Sequence, residues 1–147
     1  MAKVIKDTPL TDITLRKFEK PSGEDKETLI RKFCISLGLL QPGDSRDVVV
    51  DVLKLLLEAR KEHRFYSSAE VESAIKQTRT DGTAASNIRR QLLRLEKLGF
   101  VEKTKEGYRI REFLELRTIM DEYVRKFILE PTFKRIQEYA EEIDRKL

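Results

Sequence analysis

The amino-acid sequence predicts a mainly α-helical fold carrying one small β-hairpin, and three observations predict it. Residues 84–98 place Ala85, Ile88, Leu92 and Leu95 on one stripe when wound at about 100° per residue, the apolar pattern of a core-facing helix. Gly99 then breaks the pattern, and Phe100-Val101 with Gly107-Tyr108-Arg109-Ile110 read as two short strands around a polar tip, Lys103-Thr104-Lys105-Glu106. Elsewhere apolar residues recur three and four apart between capping and glycine signals, which argues helix rather than sheet.

The elements before residue 84 follow in order. Asp44-Ser45-Arg46-Asp47 predicts the opening of a helix that runs to about Lys61. That helix is apolar on two sides, with Val48, Val52, Leu55, Leu56 and Ala59 on one and Val49, Leu53 and Leu57 on the other. It must therefore be sandwiched between neighbours. Ser67-Ser68-Ala69-Glu70 has the Ser-to-Glu spacing of a capping box, starting a short helix through Val71, Ala74 and Ile75. Thr78–Gly82 is the turn into the helix at 84–98, with Thr83 as its expected N-cap.

The remaining segments read as extensions. Residues 24–37 form an expected helix with Leu29, Ile30, Phe33, Cys34 and Leu37 on one face, Ser22 near its cap and Gly38 at its stop. Alternation through Ile13-Thr14-Leu15-Arg16-Lys17-Phe18 favours a strand over a short helix. Beyond the hairpin, Phe113, Leu116, Met120, Tyr123 and Phe127 are spaced 3, 4, 3, 4. Phe133, Ile136, Ala140, Ile143 and Leu147 repeat that spacing. Pro131 between them predicts two helices or one sharp kink. The organisation expected is thus an N-terminal arm and helix at 1–44, a small domain at 45–110, and C-terminal helices at 111–147.

Charge points to a partner. Residues 1–44 hold 8 basic and 7 acidic side chains, residues 45–110 hold 14 and 10, and residues 111–147 hold 8 and 9, within a chain of net charge +4. Segment 83–109 alone holds 7 basic and 3 acidic, so the excess belongs to the helix at 84–98 and the hairpin. On the outward arc of that helix lie Thr83, Ser86, Asn87, Arg90, Leu93, Arg94 and Lys97, residue types that reach base edges and phosphates. Lys103, Lys105 and Arg109 extend the set onto the hairpin, with Tyr108 packed at its base. An apolar Leu93 on this arc suits a thymine methyl or contact with protein. A solvated charged face is the alternative use of the same residues.

These parts, in this order, are those of a winged helix-turn-helix domain, with the helix entering the DNA major groove and the hairpin as wing. Residues 45–110, with LLRLEKLGFVEK followed by GYRI, resemble the winged-helix transcription regulators of bacteria and archaea, including the MarR-like and ArsR-like groups. The TLRKFEKP start and the SLGLLQPGDSRD linker make the whole chain similar to archaeal helix-turn-helix regulators. The resemblance implies sequence-specific binding of double-stranded DNA, usually by a homodimer. Phe113, Leu116, Met120, Tyr123 and Phe127 are the expected dimer seam. Winged helices also serve as protein-interaction or assembly modules, which is the rival expectation.

Enzyme chemistry has little to build on. His63 is the single histidine and Cys34 the single cysteine, so no Cys/His metal quartet and no nucleophile–base grouping can be assembled from their spacing. There is no phosphate-binding glycine motif of the GxxxxGK[ST] or GxGxxG kind. No catalytic residue, metal or cofactor is expected. No run approaches the ~20 apolar residues of a membrane span, and the charged N-terminus lacks an apolar signal core. A cytoplasmic protein with a buried structural thiol is the expectation.

Overall fold

The computed structural model describes residues 6–147. Helix α1 (Lys26–Ser36) is followed by α2 (Val48–Arg60), α3 (Ser68–Lys76) and α4 (Ala85–Lys97). Strands β1 (Val101–Thr104) and β2 (Gly107–Ile110) then pair antiparallel, from Val101 opposite Ile110 to Thr104 opposite Gly107. A 3₁₀ turn, Arg111–Phe113, leads into α5 (Leu116–Ile119), a π-helical segment Met120–Leu129, and α6 (Glu130–Lys146). The chain is thus mainly helical with one two-stranded sheet.

Helix α2 organises the core, and its two apolar flanks explain why. Val48, Val49, Val50, Val52, Leu53, Leu56 and Ala59 are all buried, because α1, α3, α4 and β2 all pack against this helix. Those neighbours supply Cys34, Val71, Ile75, Ile88, Leu92, Leu95 and Ile110 to one continuous apolar core, which also takes in Ile119 and Val124 from beyond the hairpin. At about 25 cal/mol per Å² of apolar surface, each such side chain stabilises the fold by roughly 1.5–3 kcal/mol.

The capping box of α3 forms as expected. The Ser67 hydroxyl accepts from the Glu70 N–H, and the Glu70 carboxylate accepts from the Ser67 N–H. Other boundaries differ from expectation. Asp25, not Ser22, caps α1, accepting from the Thr28 N–H at 2.8 Å. Helix α2 begins only at Val48, with Asp47 at its cap making no side-chain cap bond. Ala84 rather than Thr83 occupies the N-cap of α4, which therefore has no side-chain cap.

Residues 13–18 form neither strand nor helix. They are tied to α1 by the Arg16 N–H to the Ser36 carbonyl and by the Arg16 guanidinium to the Ile35 carbonyl, both 2.9 Å. Alternation there lacked any neighbouring strand to pair with, so the backbone bonds a helix end instead.

The C-terminal region departs most. Pro131 sits in the first turn of α6, and no loop separates the two stripes: Leu129 and Glu130 both hold right-handed helical dihedrals where the π segment passes into α6. The Glu130 N–H bonds the Arg125 carbonyl five residues back, so the helix is already wide-turned where proline removes a donor. Widening also changes which side chains face the core. Ile119 and Val124, five apart, are fully buried, and Leu129, five further, packs at the edge.

Candidate nucleic-acid interface

Helix α4 is set by what precedes and follows it. Ile88, Leu92 and Leu95 are fully buried against α2 and α3, which fixes the opposite face outward. Gly99 ends the helix with φ +93°, and a Cβ there would crowd the Tyr123 Cβ at 3.2 Å. The Phe100 N–H returns to the Leu95 carbonyl, and the Arg111 N–H to the Phe100 carbonyl at 2.9 Å, so the hairpin is pinned to the end of α4.

The hairpin is short and rigid at its base. Its turn is Lys105-Glu106 alone, since Thr104 pairs with Gly107 and belongs to β1 rather than to the tip. The Thr104 hydroxyl accepts from the Glu106 N–H and donates to the Gly107 carbonyl, bracing the turn. Tyr66, from the α2–α3 connection, exchanges two backbone hydrogen bonds with Tyr108, of 2.7 and 3.0 Å. That close approach requires Gly107: at φ +130°, a Cβ would lie 2.7 Å from the Tyr66 carbonyl oxygen. Tyr108 is buried at the hairpin base, as expected.

The candidate contact residues separate into two groups. Ser86, Arg90, Leu93 and Lys97 are exposed along α4, and Lys103 and Lys105 are exposed on the hairpin. Arg89 joins them: it is exposed three residues after Ser86 and four before Leu93. Sequence reasoning left Arg89 out because it centred the outward arc too far toward Asn87 and Arg94. Its signal was the Ser86–Arg89–Leu93 spacing of 3 and 4. Arg89, Arg90, Lys97, Lys103 and Lys105 have no acidic partner among the described residues, whereas Arg31, Arg79, Arg109 and Arg111 are all held by carboxylates. Lys103 lies 5.7 Å from the centre of the Tyr108 ring and keeps its ammonium at the surface.

The second group is turned to structural work. Arg94 Nη1 donates to Gln91 Oε1 at 2.9 Å, Gln91 Nε2 to Asn87 Oδ1 at 3.0 Å, and Asn87 Nδ2 to the Gly82 carbonyl at 2.8 Å. Arg94 Nη2 reaches the Leu39 carbonyl at 2.7 Å in the joint between α1 and α2. Burial, and then the neighbouring Arg90 charge, lower the Arg94 pKa. These side chains line one wall of a polar cleft of about 550 Å³ between α4 and the joint, where Arg90 and Arg46 also border it. Arg109 is likewise engaged: it donates to Glu102 at 2.9 Å and its guanidinium lies over the Phe65 and Phe113 rings at 5.3 and 4.8 Å. Thr83 is half-buried before the cap of α4.

The seam expected at Phe113–Phe127 is largely used within the chain. Leu116, Met120 and Tyr123 pack on the core, and the Tyr123 hydroxyl bonds Glu112 at 2.9 Å. Phe113 stacks on His63 with ring centres 4.7 Å apart, both residues holding positive φ. Phe127 alone of the five is exposed. The α-helical period used to read that seam does not apply through the π segment from Met120, which is why Val124, five residues beyond the buried Ile119 at the end of α5, was missed.

Cys34 is fully buried and burial pushes its thiol up to about 12. No cluster of metal-ligating side chains occurs among the described residues, and none of their helices is long and apolar enough to cross a membrane. No family model, curated protein or solved structure matches the chain.

Proposed function

We propose that the chain is a winged helix-turn-helix protein that binds double-stranded DNA as a homodimeric regulator, with α4 in the major groove and the β1–β2 hairpin on the backbone. The observation that carries this reading is the set of five unpaired cations, Arg89, Arg90, Lys97, Lys103 and Lys105, on one helix face and the hairpin joined to it. Among the other described arginines all but Arg117 meet a carboxylate or a carbonyl, so five cations left free on adjoining elements suit a polyanion. Ser86 at the start of α4 and a first turn without an acid add to the reception of phosphate. Arg90 and Arg89 have the length and donor geometry for bidentate contact with guanine.

A protein-facing use of the same surface is supported by Leu93, which is 49% exposed in the middle of the basic stripe. The two readings separate by salt. Mobility shifts on genomic fragments across a salt series should show retardation whose log–log slope is several units negative, about −0.9 for each phosphate contacted. The triple substitution Arg89→Ala, Arg90→Ala and Lys97→Ala should abolish the shift while the helical content stays intact. Absence of any duplex binding at low salt by the wild-type chain would overturn the DNA reading in favour of the protein-facing one.

A further inference from the structure

Helix α6 has no buried residue, although its sequence carries a regular apolar stripe. Phe133, Ile136, Tyr139 and Ile143 remain 64%, 62%, 69% and 54% exposed, and Leu147 is fully exposed. Deepening the dimeric reading proposed above, we infer that α6 pairs antiparallel with α6 of a second copy, crossing near Glu138. In that pairing, the Ile143–Leu147 end of each copy fills an apolar groove at the start of the other's helix.

Three features select this occupant. The groove lies between the N-terminal arm and the beginning of α6, lined by Ile13, Leu15, Leu129, Phe133 and Ile136. A crossing centred on residue 138 sets Phe133 against Ile143 of the second copy, Ile136 against Ala140, and Leu129 against Leu147. Each layer of the 3–4 repeat then meets its complement, and Leu147 arrives at the groove. The charges agree: Lys134-Arg135 stands one heptad before Glu141-Glu142. Antiparallel pairing puts the basic pair of each copy alongside the acidic pair of the other. Parallel pairing would set like against like. Within one chain Arg135 reaches Glu138, and Glu142 is shared by Arg145 and Lys146, while Lys134 and Glu141 have no partner among the described residues. Covering the exposed stripe on both copies removes on the order of 1,200 Å² of surface, the lower end of stable specific interfaces.

Sedimentation of the full chain should give twice the chain mass. The double substitution Ile143→Asp and Leu147→Asp should give a monomer that still unfolds cooperatively, since neither side chain is buried in the core, with a midpoint that no longer depends on protein concentration. Cysteine pairing reads the direction. Phe133→Cys alone and Ile143→Cys alone should form no disulfide dimer, because like positions stand about 15 Å apart along antiparallel axes. The double variant should form one. Wild-type protein that sediments as a monomer, or efficient dimers from either single cysteine, would overturn the pairing. Each result is independent of DNA: a dimer that shifts no duplex would fail the DNA reading and leave the pairing intact.

Discussion

The guanidinium of Arg94 donates to the main-chain carbonyl of Leu39 across 2.7 Å, joining the outer part of α4 to the segment that links α1 and α2. Through Gln91 and Asn87 the same chain of hydrogen bonds continues to the Gly82 carbonyl at the entrance of α4. Both ends of the helix are thereby held against the body of the protein. Arg90, one turn before Arg94, lacks any such bond and stands exposed beside the same cleft.

Arg94 and Arg90 should consequently fail in different ways. Arg94→Ala strips the partner from half-buried carbonyls and from Gln91, and should lower unfolding stability by about 1–3 kcal/mol. Arg90→Ala should leave stability within about 0.5 kcal/mol and cost on the order of 1–3 kcal/mol of specific DNA binding. Urea unfolding and DNA titration on both variants test this assignment. An Arg94→Ala protein of wild-type stability would show that its carbonyl bonds contribute nothing.

Arg89 and Leu93 offer a second discrimination. Both face outward, and neither makes a hydrogen bond or ion pair that would hold the fold. Arg89→Ala should weaken duplex binding about tenfold, a loss near 1.4 kcal/mol, with unchanged circular dichroism. Leu93→Ala should shift DNA affinity by less, and mainly at sites that differ in thymine content. A Leu93 effect larger than that of Arg89, and insensitive to salt, would place a protein partner on this face.

What could be read from the sequence was what local spacing determines. The two-sided apolar pattern of α2, the Ser67–Glu70 box and the Gly99 stop each depend on residues within a turn or two of one another. Arg94 was read as a free cation because the carbonyl it bonds lies 55 residues away. Nothing local marks that contact. Arg109 was likewise assigned to phosphate, although Glu102 stands opposite it across the hairpin, a pairing that follows once the two-residue turn fixes the register. The π segment hid the continuation of the buried stripe from Ile119 to Val124, because a spacing of five does not fit the 3.6-residue period of an α-helix.

Cys34 yields a pH prediction. Burial raises its thiol to about 12 from an ordinary 9.0, and the nearby Arg94 and Arg31 only partly oppose this. Below pH 9 the thiol is neutral in both folded and unfolded chains and contributes nothing to pH dependence. Above that value the unfolded chain ionises while the folded one does not, so stability falls as pH rises from about 9 toward 12. Cys34→Ser should flatten this part of the stability profile. A thiol reagent at pH 8 should label the native chain only at the rate of its opening, whereas rapid labelling without denaturant would contradict the burial.

The hairpin supplies the last contrast. Lys103 on β1 and Lys105 in the turn carry free ammonium groups, while Arg109 is clamped by Glu102 and lies over Phe113 and Phe65. Lys105→Ala should therefore weaken binding to all duplexes alike and reduce the log–log salt slope by about 1, with no change in stability. Lys103→Ala should do the same with a small stability loss from its contact with Tyr108. Arg109→Ala should leave the slope nearly unaltered and instead destabilise the hairpin, because it removes an ion pair and two ring contacts at once. Arg109→Lys should not restore stability, since an ammonium cannot lie flat over two aromatic faces while donating to a carboxylate. A slope change for Arg109→Ala equal to that for Lys105→Ala would mean that Arg109 leaves Glu102 and reaches the backbone when DNA binds.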